Sequence, residues 1–259
     1  MTRAETGLLL AVGALVAFVG TQAVRAADRP AIAPAAALDS SGTAPAAAPS
    51  AGHVEEERRY SVLPAPDRDS AAVRRLLLAG GNATWIGEML EQGDSTLARW
   101  PVRSAEPVRV WVQPVSGASG WQPIYSAWAR EAFGRWEMVG LPVRFALVDD
   151  SVAAEVRVTF VDRLATDTRI GNTRRVHDQH WWVLDGDITI ATHTVDGRPL
   201  PPAIVQSTAV HEVGHLLGLG HTDDTTSVMA PRAYGATELT IRDLATIRLL
   251  YSLPPGKVR

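Results

Sequence analysis

The 259-residue chain contains no cysteine. This absence excludes disulfide bonds, thiolate metal ligands and a cysteine nucleophile. It does not place the protein in the cytosol, because an exported protein need not use disulfides. The chain also lacks a strong charge of either sign: 25 Lys and Arg face 28 Asp and Glu, for a net charge of −3. With no basic surface field, nucleic acid is not expected as a partner. A hydrophobic content of 46% is enough to fill a proper core.

The first 26 residues are predicted to be a signal peptide. Arg3 precedes an apolar run, Gly7 to Gly20, that has the length of a signal h-region. Val24 and Ala26 are the small residues at −3 and −1 that predict cleavage after Ala26. An uncleaved anchor is the alternative, because an apolar stretch over 7–24 can just span a bilayer. Either interpretation predicts a secreted, extracytoplasmic or membrane-tethered protein.

Two further segments precede the main domain. Residues 27–54 are rich in Ala and Pro and carry few bulky apolar residues, so they cannot offset the entropy of ordering and are predicted to form a disordered linker. Residues 55–98 form a predicted helical extension, with one helix over about 70–79 and a second with Thr84 as its N-cap. This extension is either a pro-region or a brace. We favour the brace because the second helix carries an apolar docking face, made of Trp85, Ile86, Met89 and Leu90.

Residues 211–221 form the pattern H-E-x-x-H-x-x-G-x-x-H. On a helix, His211 and His215 lie one turn apart on the same face, so both imidazoles can bind one Zn²⁺ with nitrogens about 2.0–2.1 Å from the metal. Gly218 allows a positive φ at the helix end, which brings His221 back as a third ligand. Three protein ligands leave a fourth position open, as in a catalytic zinc site. Glu212 is rotated off the ligand face, where it can reach a water on the metal without ligating it.

The residues after this pattern carry a family resemblance. Met229 lies eight residues beyond His221 in the turn Ser227-Val228-Met229, and Pro231 follows two residues later. A long zinc pattern followed by such a Met-turn resembles the metzincin metallopeptidases, and the placement of Pro231 is similar to their matrixin (matrix metalloprotease-like) family. The resemblance implies that Met229 supports the zinc site from below. It also implies that the segment around Pro231 lines the substrate pocket.

The pattern of elements agrees with that family. Strands are predicted at 108–112, 141–148 and 155–161, and a helix is predicted over 121–136. An edge strand is expected to start at 171–176, a last strand at 187–191, and a final helix at Thr240, with Asp243 completing a capping box. The resemblance implies an α+β, zincin-like catalytic domain over 99–259. Such a domain has a mixed, mostly parallel twisted sheet, an active-site helix, a Met-turn and a C-terminal helix.

Vertebrate matrixins also hold a structural zinc and calcium ions in the middle of this domain. Side chains that could supply oxygen or nitrogen ligands do occur there, namely His177, His180, His193, Asp167, Asp178 and Asp185. The His-x-Asp start of the family's second site is missing, however, because Ala165 and Thr166 precede position 167. We therefore predict one catalytic zinc and solvated loop histidines, and the resemblance leaves bound calcium open.

The predicted function is a zinc-dependent endopeptidase that hydrolyses peptide bonds of extracellular or envelope proteins. Zinc would polarise the scissile carbonyl and lower the pKa of its water toward ~7. Glu212 would take the proton from that water and pass it to the leaving amine. The alternative is a zinc-binding module that uses the same fold for protein binding or assembly without significant turnover. The cysteine latch that keeps many vertebrate matrixins inactive is chemically unavailable to this chain.

Overall fold

A computed structural model describes residue 63, residues 65–164 and residues 168–258. The predicted signal peptide or anchor, the predicted linker and Asp167 all lie outside these residues. Within the described ranges, no helix is long and apolar enough to cross a membrane.

The domain is built on a five-stranded sheet whose spatial order is β3-β2-β4-β6-β5. Its strands are β2 (Arg103–Val112), β3 (Val143–Leu147), β4 (Val156–Val161), β5 (Gly171–His177) and β6 (Val183–Ala191). Four strands run parallel, and β5 pairs antiparallel to β6 at the edge. A separate two-stranded sheet joins β1 (Thr96–Leu97) to β7 (Gly256–Lys257). The predicted mixed, mostly parallel sheet is confirmed.

Alternating side chains give the main sheet one buried face. In β4, Val156, Val158 and Phe160 are buried, while the residues between them are partly exposed. The same period of two appears in β2 and β6, as expected for strands that pack on one side only. Helices cover that buried face.

Two helices pack side by side over the buried face of the sheet. Helix α3 (Pro123–Glu137) contacts β2 and β3, and helix α4 (Pro202–Leu217) contacts β5 and β6. The indole Nε1 of Trp136 on α3 donates a hydrogen bond to the Val210 carbonyl of α4 at 2.9 Å. Most of the side chains on α4 are buried, so the sheet and the neighbouring helix together fix its position.

The helices of the N-terminal extension, α1 (Ser70–Gly80) and α2 (Ile86–Gln92), pack on the C-terminal helix α5 (Ile241–Ser252). The backbone N–H of Trp85 donates to Thr246 Oγ1 at 3.1 Å, and its indole Nε1 donates to Asp243 Oδ1 at 3.3 Å. The apolar residues predicted to form a docking face are all buried, namely Trp85, Ile86, Met89 and Leu90.

Some predicted boundaries are wrong, each for a local reason. Helix α3 starts at Pro123 rather than Trp121, because a proline suits the first turn of a helix, where its missing N–H leaves no bond unmade. Thr84 is not the N-cap of α2, because the helix begins at Ile86 and Trp85 holds the N-cap position. The Thr84 hydroxyl donates to the Gly80 carbonyl at 2.8 Å and accepts only a long bond from the Ile86 N–H, at 3.5 Å. The capping box of Thr240 and Asp243 on α5 is confirmed.

Candidate metal centre

Helix α4 ends in a tight turn at Gly218, after which the chain folds back toward the last two turns of the helix. Gly218 has φ of +113°, and a Cβ at this position would overlap the Ala98 carbonyl oxygen. The N–H of Leu219 donates to the Gly214 carbonyl at 3.0 Å, and the N–H of Gly218 donates to the His215 carbonyl at 3.0 Å. These two bonds form a Schellman motif, which requires the left-handed conformation that glycine adopts without strain. His221 follows this turn.

The turn brings three imidazoles together. The Nε2 of His221 lies 3.2 Å from that of His215 and 3.3 Å from that of His211. Nitrogens bound to one tetrahedral zinc at about 2.0–2.1 Å are separated by about 3.3–3.4 Å, so the observed spacing fits such a site. Within the described ranges, these three histidines form the one group of potential ligand side chains close enough to share a metal ion.

Hydrogen bonds at the opposite ring nitrogens select the tautomer. The Nδ1 of His211 lies 2.7 Å from the Val228 carbonyl oxygen, and the Nδ1 of His215 lies 2.8 Å from that of Leu219. A carbonyl oxygen can only accept, so each Nδ1 carries the proton and each Nε2 presents a lone pair. Carbonyl partners of this kind orient the imidazoles that ligate metals in proteins.

Burial keeps these imidazoles neutral. It lowers the pKa of His211 to about 4, against a smaller opposing effect from the bond to Val228. Burial also lowers the pKa of His215 well below its usual value, with the neighbouring histidines adding to the effect, and it lowers the pKa of His221. Three neutral imidazoles, two of them with a lone pair fixed on Nε2, suit a cation.

Glu212 is a buried carboxylate beside this cluster. Only 4% of the residue is exposed, and burial raises its pKa to about 7. The hydroxyl of Thr173 on β5 opposes that rise by donating to Glu212 Oε2 at 2.6 Å. A carboxylate with a pKa near neutrality can both accept and release a proton.

Two glycines that the sequence did not single out make room for this site. A Cβ on Gly171 would overlap Glu212 Oε1, so the start of β5 must be glycine for the carboxylate to lie there. A Cβ on Gly214 would overlap Met229 Sδ and lie 2.9 Å from Trp136. Gly214 is one of the variable positions in the zinc pattern, yet here its lack of a side chain brings the Met-turn against α4.

The Met-turn lies under the histidines. Met229 is fully buried, and its backbone N–H donates to Ser227 Oγ at 2.9 Å. The Ser227 hydroxyl donates in turn to Asp243 Oδ1, a carboxylate with no exposed surface. Asp243 also accepts the Trp85 indole, so one buried carboxylate joins the Met-turn, helix α5 and the N-terminal extension.

A cleft of about 670 Å³ opens over the cluster. Its lining includes His211, His215, His221, Glu212 and Pro231, and strand β5 forms one wall. The structure therefore brings the predicted metal ligands, the predicted base and the predicted pocket residue into one cavity. The other histidines within the described ranges do not line the cleft. His177 stacks on Trp181 at 4.1 Å, His180 lies beside Gln179, and His193 lies beside Thr192.

Comparison with known proteins agrees with this geometry. The family model described as matrixin matches residues 122–252, just over half of the chain. Metalloendoproteinase 1-MMP of Arabidopsis thaliana is 32% identical over 148 residues, which are 50% of this chain and 38% of the relative. Metalloendoproteinase 5-MMP of the same plant is 28% identical over 180 residues, or 61% of this chain and 47% of the relative. Metalloendoproteinase 1 of Glycine max is 39% identical over 79 residues, or 29% of this chain and 24% of the relative.

The chain thus spans less than half the length of these relatives. The matched region nevertheless contains the sheet strands β3 to β6, the helix with the first two histidines, the third histidine and the Met-turn. Because the family model matches more than half of this chain, the chain belongs to the matrixin family.

Proposed function

We propose that this chain is a zinc endopeptidase with His211, His215 and His221 as metal ligands and Glu212 as the general base. The observation that carries the proposal is the short distance from the Nε2 of His221 to those of His215 and His211, 3.2 and 3.3 Å, next to a buried carboxylate that lines a cleft. Three neutral nitrogen donors match the ligand preference of zinc and leave one position open. When bound there, zinc would supply Lewis acidity toward a carbonyl oxygen and a water.

The proton chemistry belongs to Glu212. Its carboxylate accepts a proton from the attacking water and returns it to the amine as the peptide bond breaks. The Thr173 hydroxyl holds Oε2, which orients the carboxylate and leaves Oε1 for the water. A pKa of about 7 suits both halves of this exchange, because neither transfer is then strongly uphill.

An extended polypeptide fits the wall of the cleft. Strand β5 is the last strand of the sheet, and its residues Gly171 to Thr173 line the cavity. A substrate strand can add to this edge through backbone hydrogen bonds, and such binding tolerates different substrate side chains. The segment from Ala230 to Tyr234 also lines the cleft, where it would contact the residue after the scissile bond. We also propose that the protein acts outside the cytoplasm, which the apolar segment Gly7 to Gly20 supports.

The alternative, a zinc-binding module without turnover, is less well supported. Binding or assembly would need the histidines and the cleft but no acid or base. Burying the Glu212 carboxylate, in a residue only 4% exposed, costs desolvation free energy. Its position also requires glycine at residue 171, because a Cβ there would overlap Oε1. Such features are expected where a proton is moved.

A cleavage profile of the zinc-loaded protein on a broad peptide library tests the proposal. We expect products with new amino termini inside the peptides, loss of cleavage on adding a chelator, and recovery on adding zinc. Mass spectrometry of the products would also give the preferred residues on each side of the cut. A library that stays intact under zinc-loaded conditions would replace the enzyme by the binding module.

A further inference from the structure

The loop that carries the third histidine rests on helix α2 of the N-terminal extension. The side-chain amide of Gln92 bonds both backbone groups of His221. Its Oε1 accepts from the His221 N–H at 3.2 Å, and its Nε2 donates to the His221 carbonyl at 3.1 Å. A side-chain amide bonded to both polar groups of one residue fixes the position and the orientation of that backbone segment. Gln92 lies thirty residues before the start of the region that the matrixin model matches.

A second contact follows one turn earlier on the same helix face. The Oε2 of Glu88 accepts from the Asp223 N–H at 3.0 Å. Between these polar contacts, Met89 lies beneath Gly220, where an added Cβ would be 3.4 Å from Met89 Cγ. Residues at i and i+4 share a helix face, so Glu88 and Gln92 bracket the loop from 220 to 223.

Helix α2 is itself held by the core. Trp85 at its start donates hydrogen bonds to Thr246 and Asp243 of α5, and it is 1% exposed. Helix α2 is therefore fixed relative to the Met-turn, because Asp243 also accepts a hydrogen bond from Ser227 of that turn. A displacement of α2 would move the third-ligand loop with it.

His221 depends on this support more than the other two ligands do. His211 and His215 are fixed by helix α4 and by the Nδ1 bonds of their rings. No hydrogen bond from within the described ranges reaches the Nδ1 of His221, and its backbone lies beyond the end of the helix. The position of its ring therefore depends more directly on its backbone, which Gln92 holds.

The arrangement differs from that of a removable pro-region. A pro-region that blocks activity must cover the cleft, whereas none of the described residues before 168 lines it. The contacts of α2 lie on the third-ligand loop and on α5. Within the described ranges, α2 covers none of the cleft, and removing it would free the loop of a metal ligand.

We propose that Gln92, assisted by Glu88, is a positioning residue for the third zinc ligand and that residues 84–92 are a permanent part of the metal site. The proposal rests on the proposed zinc site. Its test does not require peptide cleavage, so its failure can be distinguished from failure of the peptidase assignment.

The test replaces Gln92 by methionine in the full chain, which keeps the side-chain length and removes both hydrogen bonds. Glu91→Gln on the same exposed turn is the matched control, because residue 91 makes none of these contacts. Zinc affinity is measured by competition with a chelating dye, and the melting temperature of the metal-free protein is measured in parallel. We expect Gln92→Met to weaken zinc binding by about tenfold, the lower end of the effect of losing an outer-shell partner. The metal-free melting temperature should equal that of Glu91→Gln.

A spectroscopic measurement separates positioning from general stability. With cobalt in place of zinc, the visible absorption reports the ligand geometry, and it should change in Gln92→Met but not in Glu91→Gln. Zinc affinity and cobalt spectrum that both match the control would overturn the proposal. A fall in the metal-free melting temperature with zinc affinity unchanged would also overturn it, because it would leave Gln92 only a structural role.

Discussion

Replacing Glu212 by glutamine is expected to lower the rate of peptide cleavage by at least about 10²–10⁴-fold, the usual effect of losing a general base. The amide has nearly the shape of the carboxylate, so the hydrogen bond with Thr173 and the room left by Gly171 are preserved. No metal ligand is removed, and zinc should remain bound at the wild-type level. Cleavage rate and bound metal are measured on the same samples.

The matched control is Glu131→Gln, the same chemical change at an exposed position on α3. Its cleavage rate should equal that of the wild type. If Glu212→Gln keeps its rate within tenfold of this control, the base lies elsewhere and the assigned proton path is wrong.

Changing Trp85 to alanine should destabilise the whole domain. The side chain is 1% exposed, and truncating a buried tryptophan costs about 3–5 kcal/mol in the free energy of unfolding. Loss of the bond to Asp243 adds to this cost, because that buried carboxylate also holds Ser227 of the Met-turn. Against a total stability of about 5–15 kcal/mol, the effect should be plain in denaturant unfolding.

The control for this change is Leu78→Ala on α1, at a residue that is 77% exposed. It should alter stability by less than about 0.5 kcal/mol.

The Trp85→Ala change also distinguishes the two interpretations of residues 55–98. A brace predicts that Trp85→Ala is less stable and cleaves no faster, whereas a pro-region predicts faster cleavage because the inhibitory segment is loosened. An increase in cleavage rate would contradict the brace.

The zinc cluster could be predicted because its chemistry is encoded over eleven consecutive residues. A helix fixes His211 and His215 by its own period, and a glycine end turn fixes the return to His221. Short-range geometry of this kind depends little on the rest of the fold. The capping box at Thr240 was predictable for the same reason.

Residues that serve the site from a distance gave no such signal. Thr173 was predicted only as part of an edge strand, and its bond to Glu212 depends on the packing of β5 against α4. Gln92 is 129 residues from His221 in sequence, and a glutamine in a polar helix turn is ordinarily solvated. Gly171 and Gly214 resembled ordinary glycines, because the side chains that need their space come from other elements.

The starts of two helices, α2 and α3, were predicted wrongly. The helix predicted over 121–136 begins at Trp121 because Trp121, Tyr125, Trp128 and Trp136 recur at helical spacing, but a proline at 123 sets where helical geometry begins. Thr84 has a side chain that can cap a helix, but its hydroxyl donates to the Gly80 carbonyl at the end of the preceding helix. Trp85 holds the N-cap position of α2 instead. In both places a neighbouring residue competes with the pattern.

A zinc titration of the metal-free chain tests the central claim most directly. Peptide cleavage and bound zinc are followed together as zinc is added, and both should rise in proportion and stop at one equivalent per chain. His215→Ala should bind no zinc tightly and show no cleavage at any point of the titration. Activity that continues to rise toward a second equivalent, and loses that rise when His177 or His180 is replaced, would contradict a single three-histidine catalytic centre. So would full zinc occupancy at one equivalent with no cleavage at all.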